Sequence, residues 1–443
     1  MSQVITREIL TPDGSPVAFP YGIRIGSNGG AGLVNNIGIP GQQGFGAGIA
    51  PELPTGFAKL YGTEDPASDV YGNYQYSDGS VMVYVPAFFY KVGTGSNGLA
   101  LNVVDVKAFE AYASMAAANA AGYALHRAFY NAGTIRPGVF VDKYQCSNNS
   151  GVASSIKLGN PLSSAADHNP FSSLTGAPTN IYAGALAAAK TRGTRFFCNT
   201  RFIFAAMALL SLAHGQAATG TAHCAWYDAT GVANFPKGNN NNALGDVNDA
   251  AIAYMSDGYS NCGKTGSANF FARTTHNGQA CGVADLNGNM WEVNTGLTSD
   301  GTNYYLLKTS ADAAALTGGN TLSTDAWGAA GIAANYDGLG ATYESMQARS
   351  ALVAFGSASQ VLSSATSGTP WGAAGAGVPL AAGTGGTNLF GNDGLWDYRP
   401  NELCVISGGG WDSGSYAGAW ALYLNSGRGG SGSSVGLRAA SYL

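Results

Sequence analysis

Charge is scarce in this sequence. Asp, Glu, Lys and Arg make up 11% of 443 residues, against roughly 25% in an ordinary soluble protein. The 21 Lys and Arg are scattered and outnumbered by 26 Asp and Glu. No basic patch is therefore available to release counterions from a phosphate backbone, which sets nucleic acid aside as a partner. Long apolar runs are missing too. The longest, 202–213 between Arg201 and His214, falls short of the roughly 20 residues a bilayer requires and reads as a buried helix, so no membrane insertion is expected. The opening MSQVITREILTPDGS has no basic stretch leading into an apolar one, so no secretory signal is read and synthesis in a cytoplasm is expected. Cys146, Cys198, Cys224, Cys262, Cys281 and Cys404 include no CxxC pair. They read as buried free thiols rather than as a zinc site or a disulfide framework. His126, His168, His214, His223 and His276 show neither HxH nor HExxH spacing, and no metal is assigned to them.

What is present is glycine and aromatic surface: 65 Gly, 23 Tyr and 18 Phe. Residues 1–60 are punctuated by Gly and Pro (GSNGGAGLVNNIGIPGQQGFG) and read as an extended arm for attachment or oligomerisation, without a core of its own. From residue 61 the pattern becomes that of a folded domain. SVMVYVPAFFYKV (80–92) reads as a strand with Pro86 marking an edge or bulge, and PGVFVDKYQCS (137–147) as another. DVKAFEAYASMAAANAA (105–121) reads as a helix with Phe109, Tyr112 and Ala116 on one face. Two further helices are expected over 181–190, capped by Thr179 or Asn180, and from 201 to 214, capped by Asn199 or Thr200. KGNNNNALGDVNDA (237–250) must be an elaborate loop whose Asn side chains read first as partners for their own backbone. No cofactor is expected, with Asp246, Asn248 and Asp249 as the oxygens a structural calcium ion would use. Few helices, many short strands and long ordered loops make this an α+β protein whose function sits on loops and one sheet face.

Two segments carry more information. In CGVADLNGNMWEV (281–293), Asp285, Asn287 and Asn289 suit bonds to nearby backbone, Gly288 supplies a left-handed position and Trp291 an apolar anchor. ISGGGWDSG and the closing VGLRAASYL place three glycines before Trp411 and an arginine, Arg438, near the end. DLNGNMWEV, GGGW and VGLR in that order resemble the formylglycine-generating-enzyme type of C-type lectin fold. FCNTRFIFAAMALLSLAHG (197–215) stands where that family has a helix, and VDKYQCS (141–147) resembles its early strand. The resemblance spans roughly residues 80–443 with large insertions.

Within that fold the tail resembles the variable proteins of diversity-generating retroelements, among them receptor-binding tropism determinants of phage tail fibres. The resemblance implies a C-type lectin domain over 61–443 with a variable-type segment at 411–438. Its scaffold residues would be Trp291, Gly409, Trp411, Gly436 and Arg438. Its receptor-binding residues would be Asp412, Ser413, Tyr416, Trp420, Tyr423, Asn425, Ser426, Ser433 and Ser434. Tyr, Ser, Gly and Asn are the residues that antibody loops use for adaptable recognition. Lys, Glu, Gln and Met, which adenine mutation of AAC codons never reaches, are absent from 412–434. The family implies a homotrimer at a tail-fibre tip, joined to other fibre proteins by its arm and binding a protein or glycan receptor on the host cell. A cell-surface display protein of the same fold and a purely structural virion component are the rival readings. Enzymatic activity is not expected. The copper oxidases of this fold need paired cysteines near the last motif, and only Cys404 lies there. Asp393, Asp397, Glu402 and Asp412 cluster in sequence but read as turn and surface residues rather than as a glycosidase pair.

Overall fold

The 10-residue helix Ile181–Lys190 begins where the Asn180 side chain accepts a hydrogen bond from the Gly184 N–H at 3.0 Å. The 17-residue helix Arg201–Ala217 begins where Thr200 Oγ1 accepts from the Ile203 N–H at 3.2 Å. Each hydroxyl or amide oxygen satisfies one of the N–H groups a helix start leaves without a partner. Every residue from Arg201 to Gly215 is buried, as expected of a helix apolar on all sides.

The computed structural model describes residues 24–25, 31–32, 37–174, 178–229, 234–316, 332–339, 352–354, 365–378 and 390–443. The chain divides into two units, Met1–Asn35 and Asn36–Leu443. In the first, Arg24–Ile25 pairs antiparallel with Ala31–Gly32; the rest of the arm expected over its length lies outside the described residues.

Two six-stranded sheets organise the second unit. The first is antiparallel throughout, in the spatial order Phe197–Cys198, Ala439–Tyr442, Gly138–Asp142, Val81–Pro86, Asn73–Tyr76, Phe57–Lys59. The second is mixed, in the order Leu352–Ala354, Gly394–Asp397, Gly418–Gly427, Leu403–Gly408, Trp291–Asn294, Val435–Gly436. Helix Arg201–Ala217 packs against Gly418–Gly427 and Leu403–Gly408 of the second sheet. With few helices and many short strands, the architecture is α+β.

The chain leaves the second sheet at Gly436 and enters the first at Ala439, and Arg438 stands at this crossing. Its guanidinium grips Glu292 of the second sheet (Nη2–Oε1 2.7 Å, Nε–Oε2 3.0 Å). It also donates to the carbonyl of Asp142 in the first sheet, and to that of Ala284, both at 2.7 Å. Asp142 in turn accepts from Arg192 and from the Ala439 N–H. Burial disfavours the Arg438 cation, but Glu292 outweighs it and keeps the guanidinium charged. A buried pair of this kind fixes geometry more than it adds stability, and it is costly to break.

Three expectations change. Residues 37–60 are not part of an arm: Ile37, Phe45 and Ala47 are fully buried, so the boundary moves from 60 to 35/36. The glycines there permit tight turns that tuck the apolar residues between them inward; Gly38, with φ of 79°, faces Phe45 so closely that a Cβ would lie 2.8 Å from its Cα. The stretch 80–92 is two strands, Val81–Pro86 and Phe88–Val92, which belong to different sheets and part at Ala87. The helix expected over 105–121 is mostly absent. Val104–Ala108 is a strand paired with Phe88–Val92, and only Met115–Ala120 is α-helical. Pairing with a neighbouring apolar strand overrides the helix propensity of alanine.

Candidate functional site

The strand Gly418–Gly427 carries the middle of the segment 411–438. Side chains alternate across a strand, and here Trp420, Leu422 and Leu424 point into the core while Tyr423 and Asn425 reach the surface. Trp420 is 1% exposed and lies edge-on to Phe390, ring centroids 5.2 Å apart. Its proposed place among the contact residues is therefore corrected: it belongs to the scaffold. Its backbone N–H donates to Asp393 Oδ2 at 2.7 Å.

The other sequence-derived contact residues reach the surface. Asp412, Tyr416 and Asn425 are exposed, and Ser413, Tyr423, Ser426, Ser433 and Ser434 are half-buried. Their aromatic members gather around a residue the sequence reading missed. Trp396, half-buried, stands opposite Tyr423 in the parallel pairing of Gly394–Asp397 with Gly418–Gly427. Its ring centroid lies 5.4 Å from Tyr423, 6.2 Å from Tyr416 and 5.5 Å from Trp291. Tyr416 remains 37% exposed, and Tyr398, two residues past Trp396, is 54% exposed. The available signal was DGLWDY (393–398), a tryptophan alternating with small and polar residues in an otherwise Gly- and Asn-rich stretch.

The polar part of the face is joined to this cluster at Gly410. A Cβ there would come within 3.0 Å of Ser434 Cβ, 3.2 Å of Asp412 Oδ1 and 3.2 Å of Trp291 Cδ1. Glycine lets the two ends of the segment close to this distance without a neighbour having to give way. Both ends are pinned through backbone groups. The carbonyls of Gly430, Ser433 and Ser434 accept from the Ile181 N–H at 2.9 Å, His168 Nδ1 at 2.7 Å and the Trp291 N–H at 2.8 Å. Gly432 binds Ser164 Oγ through both its N–H and its carbonyl. On the other side, the Trp411 N–H donates to Asn289 and the Gly414 N–H to Asn240. The side chains of Ser433 and Ser434 take no part in these anchors.

The DLNGNMWEV turn supplies the platform. Trp291, Gly409, Trp411, Gly436 and Arg438, expected as scaffold, are all buried. Asp285 and Asn289 adopt left-handed backbone, with φ of 60° and 62°. Their side chains do not bond neighbouring backbone as expected; they reach across to the loop 234–266. Asn287 donates to the Pro236 carbonyl and accepts from Asn240, while Asn289 accepts from Gly263 N–H and Asn239 and donates to Gln145. Gly288 abuts Asn239 so closely that a Cβ would lie 2.2 Å from its carbonyl oxygen. The Asn-rich loop is thus a folded wall of the site.

The oxygens expected to suit calcium are occupied by N–H donors or sit apart at the surface. Asp246 accepts from the Gly238 and Asn248 N–H groups, and Asp249 pairs with Arg273 at 2.9 Å. Of the carboxylates considered for hydrolysis, Asp393 and Asp397 are buried, the latter holding the Tyr304 hydroxyl. Burial lifts the Asp393 carboxyl well above the usual range, against the Trp420 N–H that favours its anion.

No protein-family model and no curated protein matches the chain. Among solved structures it is similar to one described as Major Tropism Determinant U1 Variant, with 11% sequence identity and a TM-score of 0.30. The match covers 83% of this chain and 66% of that one.

Proposed function

We propose that this protein is a receptor-binding protein at the tip of a phage tail fibre, a C-type lectin domain that attaches the particle to a host cell surface. The observation that carries the reading is the separation of roles within 411–438. Backbone groups hold the segment to a buried scaffold, while Asp412, Tyr416, Tyr423, Asn425, Ser433 and Ser434 stand at the surface. Exposed Tyr with Trp396 beside it offers amphipathic contact area at low entropic cost, and Ser and Asn offer adaptable hydrogen bonds. Such a face suits a protein or glycan receptor, and covalent chemistry plays no part in this reading. The Met1–Asn35 unit would join the chain to other fibre proteins, and a homotrimer would gain avidity from several weak sites, about 10²–10⁴-fold when all engage.

The test is adsorption. Particles carrying Tyr416→Ala with Tyr423→Ala should assemble normally and lose adsorption to host cells; unchanged adsorption overturns the reading. A near-copy of the codons for 411–438 in neighbouring DNA, with adenines at the differing positions and a reverse transcriptase beside it, would place the segment among diversified ones.

A further inference from the structure

Beneath the same face lies a group of side chains that the receptor-binding reading does not use. His168 is buried, its ring stacked on Tyr259 at 4.1 Å and edge-on to Trp411 at 5.6 Å. Its Nδ1 lies 2.7 Å from the Ser433 carbonyl. A carbonyl only accepts, so Nδ1 bears the proton. In a neutral imidazole the other nitrogen, Nε2, then presents a lone pair, and it faces Asp257 Oδ2 at 2.7 Å. A proton on Nε2 joins the two as a buried ion pair, and the same place between nitrogen and carboxylate is open to a metal cation in exchange for that proton. The Asp257 and His168 side chains are 0% and 1% exposed, which keeps water from taking that place. Asp257 Oδ1 is already fixed by the Tyr259 N–H at 2.8 Å.

A third ligand type completes the set. Cys262, fully buried, places Sγ so that it, His168 Nε2 and the Asp257 carboxylate all lie within 4.8 Å of one another. Met290 Sδ is 3.8 Å from Cys262 Sγ. Asn289 Oδ1 is as near but already accepts from Gly263 and Asn239. Imidazole, carboxylate and thiol are the zinc donors, at about 2.0–2.3 Å each, which puts ligand atoms of a tetrahedral site about 3.4–3.6 Å apart. Occupation needs the His168–Asp257 pair to open by less than about 1 Å. The Nδ1–H bond to a backbone carbonyl is the orienting contact that metal-bound histidines make.

We propose that His168 Nε2, Asp257 Oδ2 and Cys262 Sγ bind a structural zinc ion. Uptake of Zn²⁺ displaces two protons, the Sγ–H of Cys262 and the one His168 and Asp257 otherwise share, so the buried charge is unchanged. The ion fastens the loops around residues 168 and 257–262 beneath Trp411 and Ser433, the two ends of the variable-type segment. Residues 94 positions apart in sequence hide this site from any spacing motif.

The full chain, stripped with a chelator, is titrated with Co²⁺ and then Zn²⁺. Expected are one ion per chain, a thiolate-to-cobalt charge-transfer band in the near ultraviolet that zinc abolishes, and a rise in the thermal midpoint with zinc. Cys262→Ala should lose the band and the rise, while Cys224→Ala, also a buried thiol, keeps both. Should Cys262→Ala not fold, Asp257→Asn should bind zinc at least about 10-fold more weakly. Absence of the band with a midpoint that neither zinc nor chelator moves overturns the proposal, leaving the pair held by a proton. Zinc bound equally by Cys262→Ala, or copper in place of zinc in the purified chain, overturns it as well.

Discussion

Acidification should unfold this protein through three buried histidines, and the slope can be worked out from their surroundings. His214 Nδ1 accepts from the Gly41 N–H at 3.0 Å, His276 Nδ1 from the Val283 N–H at 3.0 Å, and His126 Nδ1 from the Ala128 N–H at 3.2 Å. Each ring must break a backbone hydrogen bond to take up a second proton. Burial lowers His214 from its ordinary value of 6.5 to about 4, and His126 and His276 to about 3. Because the folded value lies below the unfolded one, the stability these groups contribute is complete above about pH 6.5 and is lost as pH falls to about 4 for His214 and about 3 for His126 and His276. Each costs about 1.4 kcal/mol per pH unit in that window, so at pH 5 the three together remove about 6 kcal/mol. That is comparable to a whole domain's stability of roughly 5–15 kcal/mol.

Buried carboxyls such as Asp285 and Asp393, raised chiefly by burial, act in the opposite sense, since the folded state takes up their protons first. Comparing variants separates the two contributions. Urea unfolding followed by Trp fluorescence between pH 7.5 and 4.5 should show a slope shallower by about 1.4 kcal/mol per pH unit in His214→Gln or His276→Gln, one proton fewer in each. The loss should appear first as faster amide exchange at Gly41 and Val283, whose N–H groups donate to the neutral rings of His214 and His276. Identical slopes in wild type and both variants would refute the reasoning.

Arg438→Met strands Glu292 without a cation in the interior and should cost about 3–5 kcal/mol in a denaturant titration. Gly418→Ala sets a methyl 2.0 Å from Asp393 Oδ1 and should lower the thermal midpoint sharply or abolish soluble expression; a near-native midpoint would mean the strand slides freely. Exchanging Asp412, Asn425, Ser433 and Ser434 one at a time should move stability by no more than about 0.5 kcal/mol each, while Trp420→Ala should cost about 3–5 kcal/mol. Equal costs at the two kinds of position, in the same titration, would erase the distinction between face and scaffold.

The parts of this architecture legible from sequence are those decided locally. Asn180 and Thr200 cap helices because an N-cap acts within four residues, and both helices start where the capping rule puts them. The parts that failed depend on distant partners. Ala108 joins a strand because Phe88 lies opposite it. Phe45 is core because the loop around 276–279 receives its segment: His276 donates to the Gly46 carbonyl and Asn277 to that of Phe45. Trp420 was placed on the wrong side because its facing depends on the strand's phase, and the strand carries register irregularities against Leu403–Gly408. Trp396 meets Tyr423 through a parallel pairing that no local pattern announces. The segments DLNGNMWEV, GGGW and VGLR stand on the other side of the same rule, because their residues are themselves long-range partners. Trp291, Gly410, Trp411 and Arg438 all join segments far apart in the chain.

That arrangement also accounts for the composition with which the sequence opens. On the proposed receptor-binding reading, a surface whose side chains can be exchanged must be held by something other than those side chains, and the main chain is what remains. Holding a loop by its backbone demands close approach, which glycine permits at Gly410 and Gly432, and it demands donors and acceptors of fixed length from the opposite wall. Asn, Ser and Gln supply these without charge: Ser164 to Gly432, Asn289 to Gly263, and Gln145 to the carbonyls of Asp285 and Met290. Lys or Glu in the same wall would each require a buried counter-charge of the kind Arg438 and Glu292 provide for one another, at a desolvation cost of several kcal/mol per ion. The scarcity of charge and the abundance of Gly and Asn are thus two consequences of one requirement, that the face be carried by its backbone.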